Sequence, residues 1–188
     1  MIAVVGSRSL DQSWLCRIDS IVGSLLSRGH SVSSGGALGA DLFALRSLVG
    51  RGQSACSGSV VFLPGQIDCA PSACRSWLLR FSRLGGQVVP GPASFHSPRC
   101  DFISALFSRS VSLVRRSSGV VAFVSGRSAG SWFTCQEAAK IGLPVVVFPV
   151  EGPGGLRSLG SGQWVGLHSW DGAFRWVPSN KEVRHAEI

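Results

Sequence analysis

A chain of 188 residues, 45% apolar and only 15% charged, is long enough for one domain with a full hydrophobic core and too apolar for a disordered segment. Its formal charge of +8 fits a polyanion partner, since arginine forks onto phosphate, and fits equally a GC-rich genome that inflates Arg, Gly and Ser together. No apolar run approaches the roughly 20 residues of a membrane span, and the opening "MIAVVGSRSL" has neither a basic n-region nor a cleavage site, so a cytoplasmic location is expected.

Ile2 to Val5 reads as a first strand, ending in "GSRS". Trp14, Leu15, Ile18, Ile21, Val22, Leu25 and Leu26 then recur at helical spacing, with Asp11 as N-cap and Gly29 as C-cap. A short strand over His30 to Ser33 leads into "SSGGALGAD", and a helix follows through Leu42, Leu45, Leu48 and Val49. "SVVFLPG" (59–65) is a third strand, Trp77, Leu78, Phe81 and Leu84 mark a third helix, and "QVVPG" (87–91) is a fourth strand. Ile103, Leu106, Phe107 and Val111 give Phe102 to Val114 a helical period. "GVVAFVSG" (119–126) is a strand, "AGSWFTCQEAAKIG" (129–142) a helix, and "PVVVFPV" (144–150) the last core strand.

Strands that are apolar throughout and alternate with helices belong to a parallel sheet covered on both faces. With right-handed crossovers this is a doubly wound, mostly parallel, Rossmann-like α/β fold over residues 1–150. Residues 151–188 differ: a glycine-rich loop is followed by two strands that Asp171-Gly172 would join as a β-hairpin, packed on the same domain. The hairpin carries Trp164, Trp170, Phe174 and Trp176, which serve either as packing mass or as a stacking surface for bases. The tail "SNKEVRHAEI" is polar and expected to fray.

Ligands of such sheets bind beyond the carboxyl ends of the strands, where three glycine corners fall. They are "GSRS" (Gly6, Ser7, Arg8), "SSGGALGAD" (Ser34, Gly35, Gly36, Asp41) and "SGRSAGS" (Arg127, Gly130, Ser131). The last two open helices, whose free N–H groups attract phosphate. Serine hydroxyls and arginines supply further donors, so the glycines are read as room for an anion. Asp41 would cap its helix or hydrogen-bond a ribose.

Other chemistry is thin. Cys16, Cys56, Cys69, Cys74, Cys100 and Cys135 form no CxxC pair, so reduced thiols and no metal site are expected. His30, His96, His168 and His185 are scattered, and "GSWFT" is not a nucleophile elbow.

The corners, with "VVFLPG" and "GSWFTCQEAAKIGLPV", resemble the DprA (Smf) family of DNA-processing proteins and the wider SLOG superfamily of nucleotide-binding Rossmann-like domains, over about residues 1–150. The resemblance implies single-stranded DNA binding at this edge, with Arg8, Gly35, Gly36, Asp41, Arg109, Gly130 and Ser131 lining the pocket. An Arg-Asn-Arg run typical of the family is Arg109-Ser110-Val111 here, and a domain core without the family's extra terminal domains is expected. The LOG phosphoribohydrolases are also similar, through a PGGxGTxxE motif. Aligned on Gly130-Ser131, their glutamate position holds Thr134, with Glu137 three residues further on as the weak catalytic candidate. A hydroxyl cannot do a carboxylate's acid–base work.

The expected function is therefore binding of a phosphorylated nucleotide-type ligand, either a free nucleotide or derivative or a unit of single-stranded DNA. The alternative is hydrolysis of a nucleoside monophosphate at its N-glycosidic bond. No cofactor and no membrane partner are expected, and a homodimer is compatible with the sequence.

Overall fold

A computed structural model describes residues 1–94 and 96–179 of the chain. Most of the polar tail, with His185, therefore lies outside the described residues. The elements run β1 (Ile2–Gly6), α1 (Ser13–Ser27), β2 (Val32–Ser34), α2 (Ala40–Gly50), α3 (Gln53–Ser57), β3 (Val60–Phe62), α4 (Ser72–Arg83), β4 (Gln87–Val89), α5 (Arg99–Arg115), β5 (Gly119–Val124), α6 (Ala129–Lys140), β6 (Val145–Pro149), β7 (Gly162–Leu167) and β8 (Ala173–Pro178).

The strands form one sheet in the order β4-β3-β2-β1-β5-β6-β8-β7. β1 to β6 pair in parallel, and β8 adds antiparallel to β6. The central strands are apolar at every position because they feed two cores. Ile2, Val4, Val121, Phe123, Val146 and Phe148 point to the layer of α1, α2 and α4, where Ile18, Leu25, Leu45 and Leu78 meet them. Ala3, Val5, Val120, Ala122, Val145 and Val147 point to the opposite layer, against Leu113, Trp132 and Cys135 of α5 and α6. Alternate residues go to opposite faces, so two-sided burial demands an unbroken apolar run.

Local chemistry ends α1 where its pattern ends. Gly29 adopts φ +79°, its N–H bonds Leu26 O at 3.0 Å, and His30 N–H bonds Leu25 O at 3.0 Å. This is the left-handed closure that glycine makes without strain. At the other end Asp11 accepts from the Ser13 N–H at 2.9 Å, just outside the helix. The short α3 leaves no mark in the sequence, because five residues hold too little periodicity to announce it.

The C-terminal hairpin departs from the two-residue turn expected at Asp171-Gly172. Leu167 pairs with Ala173, leaving His168 to Gly172 as the connection. Its extra length tucks Trp170 into the core beside Phe148, ring centroids 6.2 Å apart. The other indoles also pack. Trp164 meets Trp132 at 6.3 Å and Trp176 at 5.2 Å. The three hairpin indoles therefore serve as packing mass.

Candidate functional site

Strand order reverses between β1 and β5, whose chains leave the sheet in opposite directions. Such a switch point opens a crevice at the carboxyl edge of a parallel sheet. A pocket of about 390 Å³ lies there, lined from β1 and its loop (Gly6, Ser7, Arg8), the β5–α6 corner (Ser125, Arg127, Ser128), α6 (Gly130, Ser131, Thr134), Asp41 of α2 and one face of α5.

The corner at α6 is a cradle of donors. Ser125 Oγ lies 2.9 Å from Ser128 Oγ and 3.5 Å from Ser7 Oγ, which joins the first corner to the third. Arg8 and Arg127 are exposed on the two sides. Among the described residues the N–H groups of Gly130 and Ser131 have no backbone acceptor, as expected in the first turn of a helix. A Cβ on Gly130 would meet nothing within 4 Å, so this glycine does face open space. Thr134 bonds Gly130 O at 3.0 Å through its hydroxyl.

The second corner is built differently. A Cβ on Gly35 would fall 1.3 Å from Arg109 Nη1, and one on Gly36, at φ +66°, would fall 2.4 Å from Leu63 Cδ2. The space that these glycines open is filled by the protein itself, which corrects the reading of the double glycine as room for an anion. Neither glycine lines the pocket, and neither does Ser34, whose hydroxyl is buried with no hydrogen-bond partner among the described residues. At the start of α2 the Ala40 N–H is given to Ser7 O at 3.1 Å, and just before the helix the Ala37 N–H is given to Asp41 at 3.2 Å, so both of these donors are used within the protein. Gly6 likewise leaves room for packing, its virtual Cβ lying 2.2 Å from Phe123 O.

Arg109 crosses the pocket floor to Asp41, 3.6 Å away, with side chains only 11% and 5% exposed. Burial pushes the Asp41 carboxyl up, with Arg109 opposing it, and burial pulls the Arg109 guanidinium down. The pocket therefore presents three guanidiniums and one carboxylate. Its remaining wall is apolar. Ile103 and Phe107 of α5 are 43% and 42% exposed, and Phe107 stands edge-on to Phe133 at 4.6 Å. Both residues mark the helical period of α5 in the sequence. Their spacing of four does place them on one helix face, but that face is turned to the pocket. Ser125 and Ser128 lie inside the third motif, where nothing in the spacing distinguishes them from ordinary turn serines.

Glu137 is not among the residues that line the pocket, and it pairs with Lys140 at 2.5 Å. Among the described residues no three His, Cys, Asp or Glu side chains gather as for a metal, and no helix is long and apolar enough to cross a membrane.

A solved structure of DNA processing protein A from Helicobacter pylori, described for its single-stranded DNA binding mode, is similar to this chain, with a TM-score of 0.60 and 19% identity. The likeness covers 78% of this chain and 63% of that one, less than two thirds of its length, and at this identity it shows the fold. No curated protein matches the chain. The model of the DNA recombination-mediator protein A family matches residues 1–156, and the chain belongs to that family.

Proposed function

We propose that this protein binds single-stranded DNA, seating a nucleotide in the pocket at the β1/β5 switch point. The observation that carries the reading is the cradle itself. Exposed Arg8 and Arg127 flank a row of serine hydroxyls and the open N–H groups of α6, opposite an apolar wall. One end of such a pocket suits a phosphate and the other a base. At about 390 Å³ the pocket has the volume of a small-ligand cleft, which suits a single nucleotide unit. The family and the single-stranded DNA binding of the Helicobacter pylori protein support the same ligand class.

A fluorescent oligothymidine, titrated from low to physiological salt against duplex and free nucleotides, tests this. A strand that loses several counterions should show a log–log slope of about −0.7 per phosphate. Binding should survive physiological salt and be competed by single strands only. Arg8→Ala should weaken it by about 1.5–3 kcal/mol, the scale of a charged hydrogen bond, with little change in Tm. Loss of oligonucleotide binding at physiological salt, with one nucleotide still bound, would replace this reading by that of a free-nucleotide sensor. The hydrolase reading has less support, because Thr134 stands where the enzyme's carboxylate would and Glu137 is held by Lys140. Release of free base from nucleoside monophosphates would revive it.

A further inference from the structure

The segment after β6 reaches back to the pocket. Glu151 accepts the Gly126 N–H at 3.2 Å, and the Arg157 guanidinium donates to Gly126 O. One residue of the β5–α6 corner is thus gripped at its N–H and at its carbonyl. Arg157 is itself held twice. Its guanidinium lies 5.9 Å from the centre of the Trp132 ring, and its carbonyl accepts Trp164 Nε1–H at 2.9 Å. Trp132 completes the arrangement, its own Nε1–H donating to Ser125 O at 3.2 Å.

Gly126 precedes Arg127, and the corner that contains them ends at Gly130. A corner so rich in glycine and serine has many conformations to lose when it closes on an anion. Its internal bonds, Ser128 N–H to Ser125 O at 3.1 Å and Ala129 N–H to Arg127 O at 2.9 Å, close the turn over Ser125–Ser128 but use neither the N–H nor the carbonyl of Gly126 inside it. Both of these Gly126 groups are held from outside, by Glu151 and Arg157 of the following loop, with Arg157 held in turn by Trp164 of the hairpin.

We propose that Glu151, Arg157 and Trp164 are positioning residues for the nucleotide site. They act through Gly126 to hold the Ser125–Ser128 hydroxyls and Arg127 in their anion-binding arrangement before the ligand arrives. The proposal rests on the reading of the pocket as a nucleotide site. It gives the Trp-rich hairpin a role in binding in which no base touches it. Preorganisation of this kind raises affinity by lowering the ordering cost.

The test uses the full chain. Trp164→Phe keeps an aromatic ring and removes the indole donor, with no change of charge. Arg157→Leu removes the guanidinium, Arg157→Lys restores a donor, and Arg115→Leu at the exposed end of α5 controls for a lost charge. Oligothymidine affinity at physiological salt and hydrogen exchange at the Gly126 amide are measured for each, with Tm. Trp164→Phe and Arg157→Leu should each weaken binding by roughly three- to tenfold, the scale of one or two hydrogen bonds. Both should speed Gly126 exchange, Arg157→Lys should recover most of each effect, and Arg115→Leu should leave Gly126 exchange unchanged. Affinities of Trp164→Phe and Arg157→Leu no weaker than that of Arg115→Leu, with Gly126 exchange at the wild-type rate, would overturn the positioning role. If wild type binds no oligothymidine, the ligand reading falls, and Gly126 exchange alone still decides whether the hairpin holds the corner.

Discussion

Arg109 and Asp41 form an ion pair at 3.6 Å beneath the pocket, and Gly35 lacks a side chain because the Arg109 guanidinium occupies its place. Both charges pay for burial, as the raised carboxyl and lowered guanidinium indicate. Removing one partner of such a pair leaves an uncompensated buried charge, at a cost of about 3–5 kcal/mol. Asp41→Asn and Arg109→Met should each lose stability on that scale, while the double variant should return to within about 1–2 kcal/mol of wild type. Chemical denaturation of the four proteins measures this. Additive losses would mean that the two side chains act separately.

Two glycines that look alike in the sequence should respond in opposite ways. Gly130→Ala places a methyl group in open space within α6, so it should stabilise the fold by about 0.5–1 kcal/mol through helix propensity. It should also weaken oligonucleotide binding by crowding the cradle. Gly36→Val forces a branched side chain to φ +66° and against Leu63, and should cost about 2 kcal/mol or more. Thermal melts with and without oligothymidine separate the two effects. A stable Gly36→Val with impaired binding would return that glycine to the ligand.

Thiol reactivity should follow burial. Cys16 and Cys100 are exposed, whereas Cys56, Cys74 and Cys135 are buried. Burial pushes the Cys74 thiol up to about 11 and the Cys135 thiol up to about 12, so neither offers thiolate at neutral pH. Alkylation of the native protein followed by mass spectrometry should modify Cys16 and Cys100, and should reach the buried three only after unfolding. Native labelling of Cys135 would mean that α6 opens readily.

Arg51 ties the end of α2 to Asp19 of α1, and its hydrogen bond holds the Asp19 carboxyl below the ordinary aspartate value of 3.8. A carboxyl lowered on folding stabilises the protein above its unfolded pKa, and that contribution is lost as pH falls through the folded value. The pair is partly exposed, so the effect is small, about 1 kcal/mol or less. The Tm gap between wild type and Asp19→Asn should therefore shrink between pH 6 and pH 3. A gap that stays constant would assign the loss to packing rather than to the ionised carboxylate.

The fold was legible in the sequence because two-sided burial leaves a plain record. Runs such as Val145 to Phe148 alternate between two cores and so admit no polar residue. The pocket was legible in part. Arg8, Arg127, Gly130 and Ser131 sit in corners that the topology brings together. The second corner misled because a glycine records only that a Cβ is excluded, and says nothing of what excludes it. For Gly35 the excluder, Arg109, lies 74 positions away on α5, a distance no local pattern spans. Ile103 and Phe107 misled for a related reason, since helical period identifies a face without saying whether protein or ligand covers it.

The sheet order also has a consequence for the newborn chain. β6 gains its second neighbour from β8, which begins more than twenty residues later in the sequence. During synthesis "VVVF" must wait, paired on one side only, as an apolar edge with unpaired backbone groups. Such an edge templates association with other chains. The residues between them, Glu151 to Gly160, include four of the chain's glycines and one proline, a composition that resists strand formation. Slow translation through the hairpin, or loss of its turn, should therefore appear first as aggregation of new chains, before any defect in the mature protein.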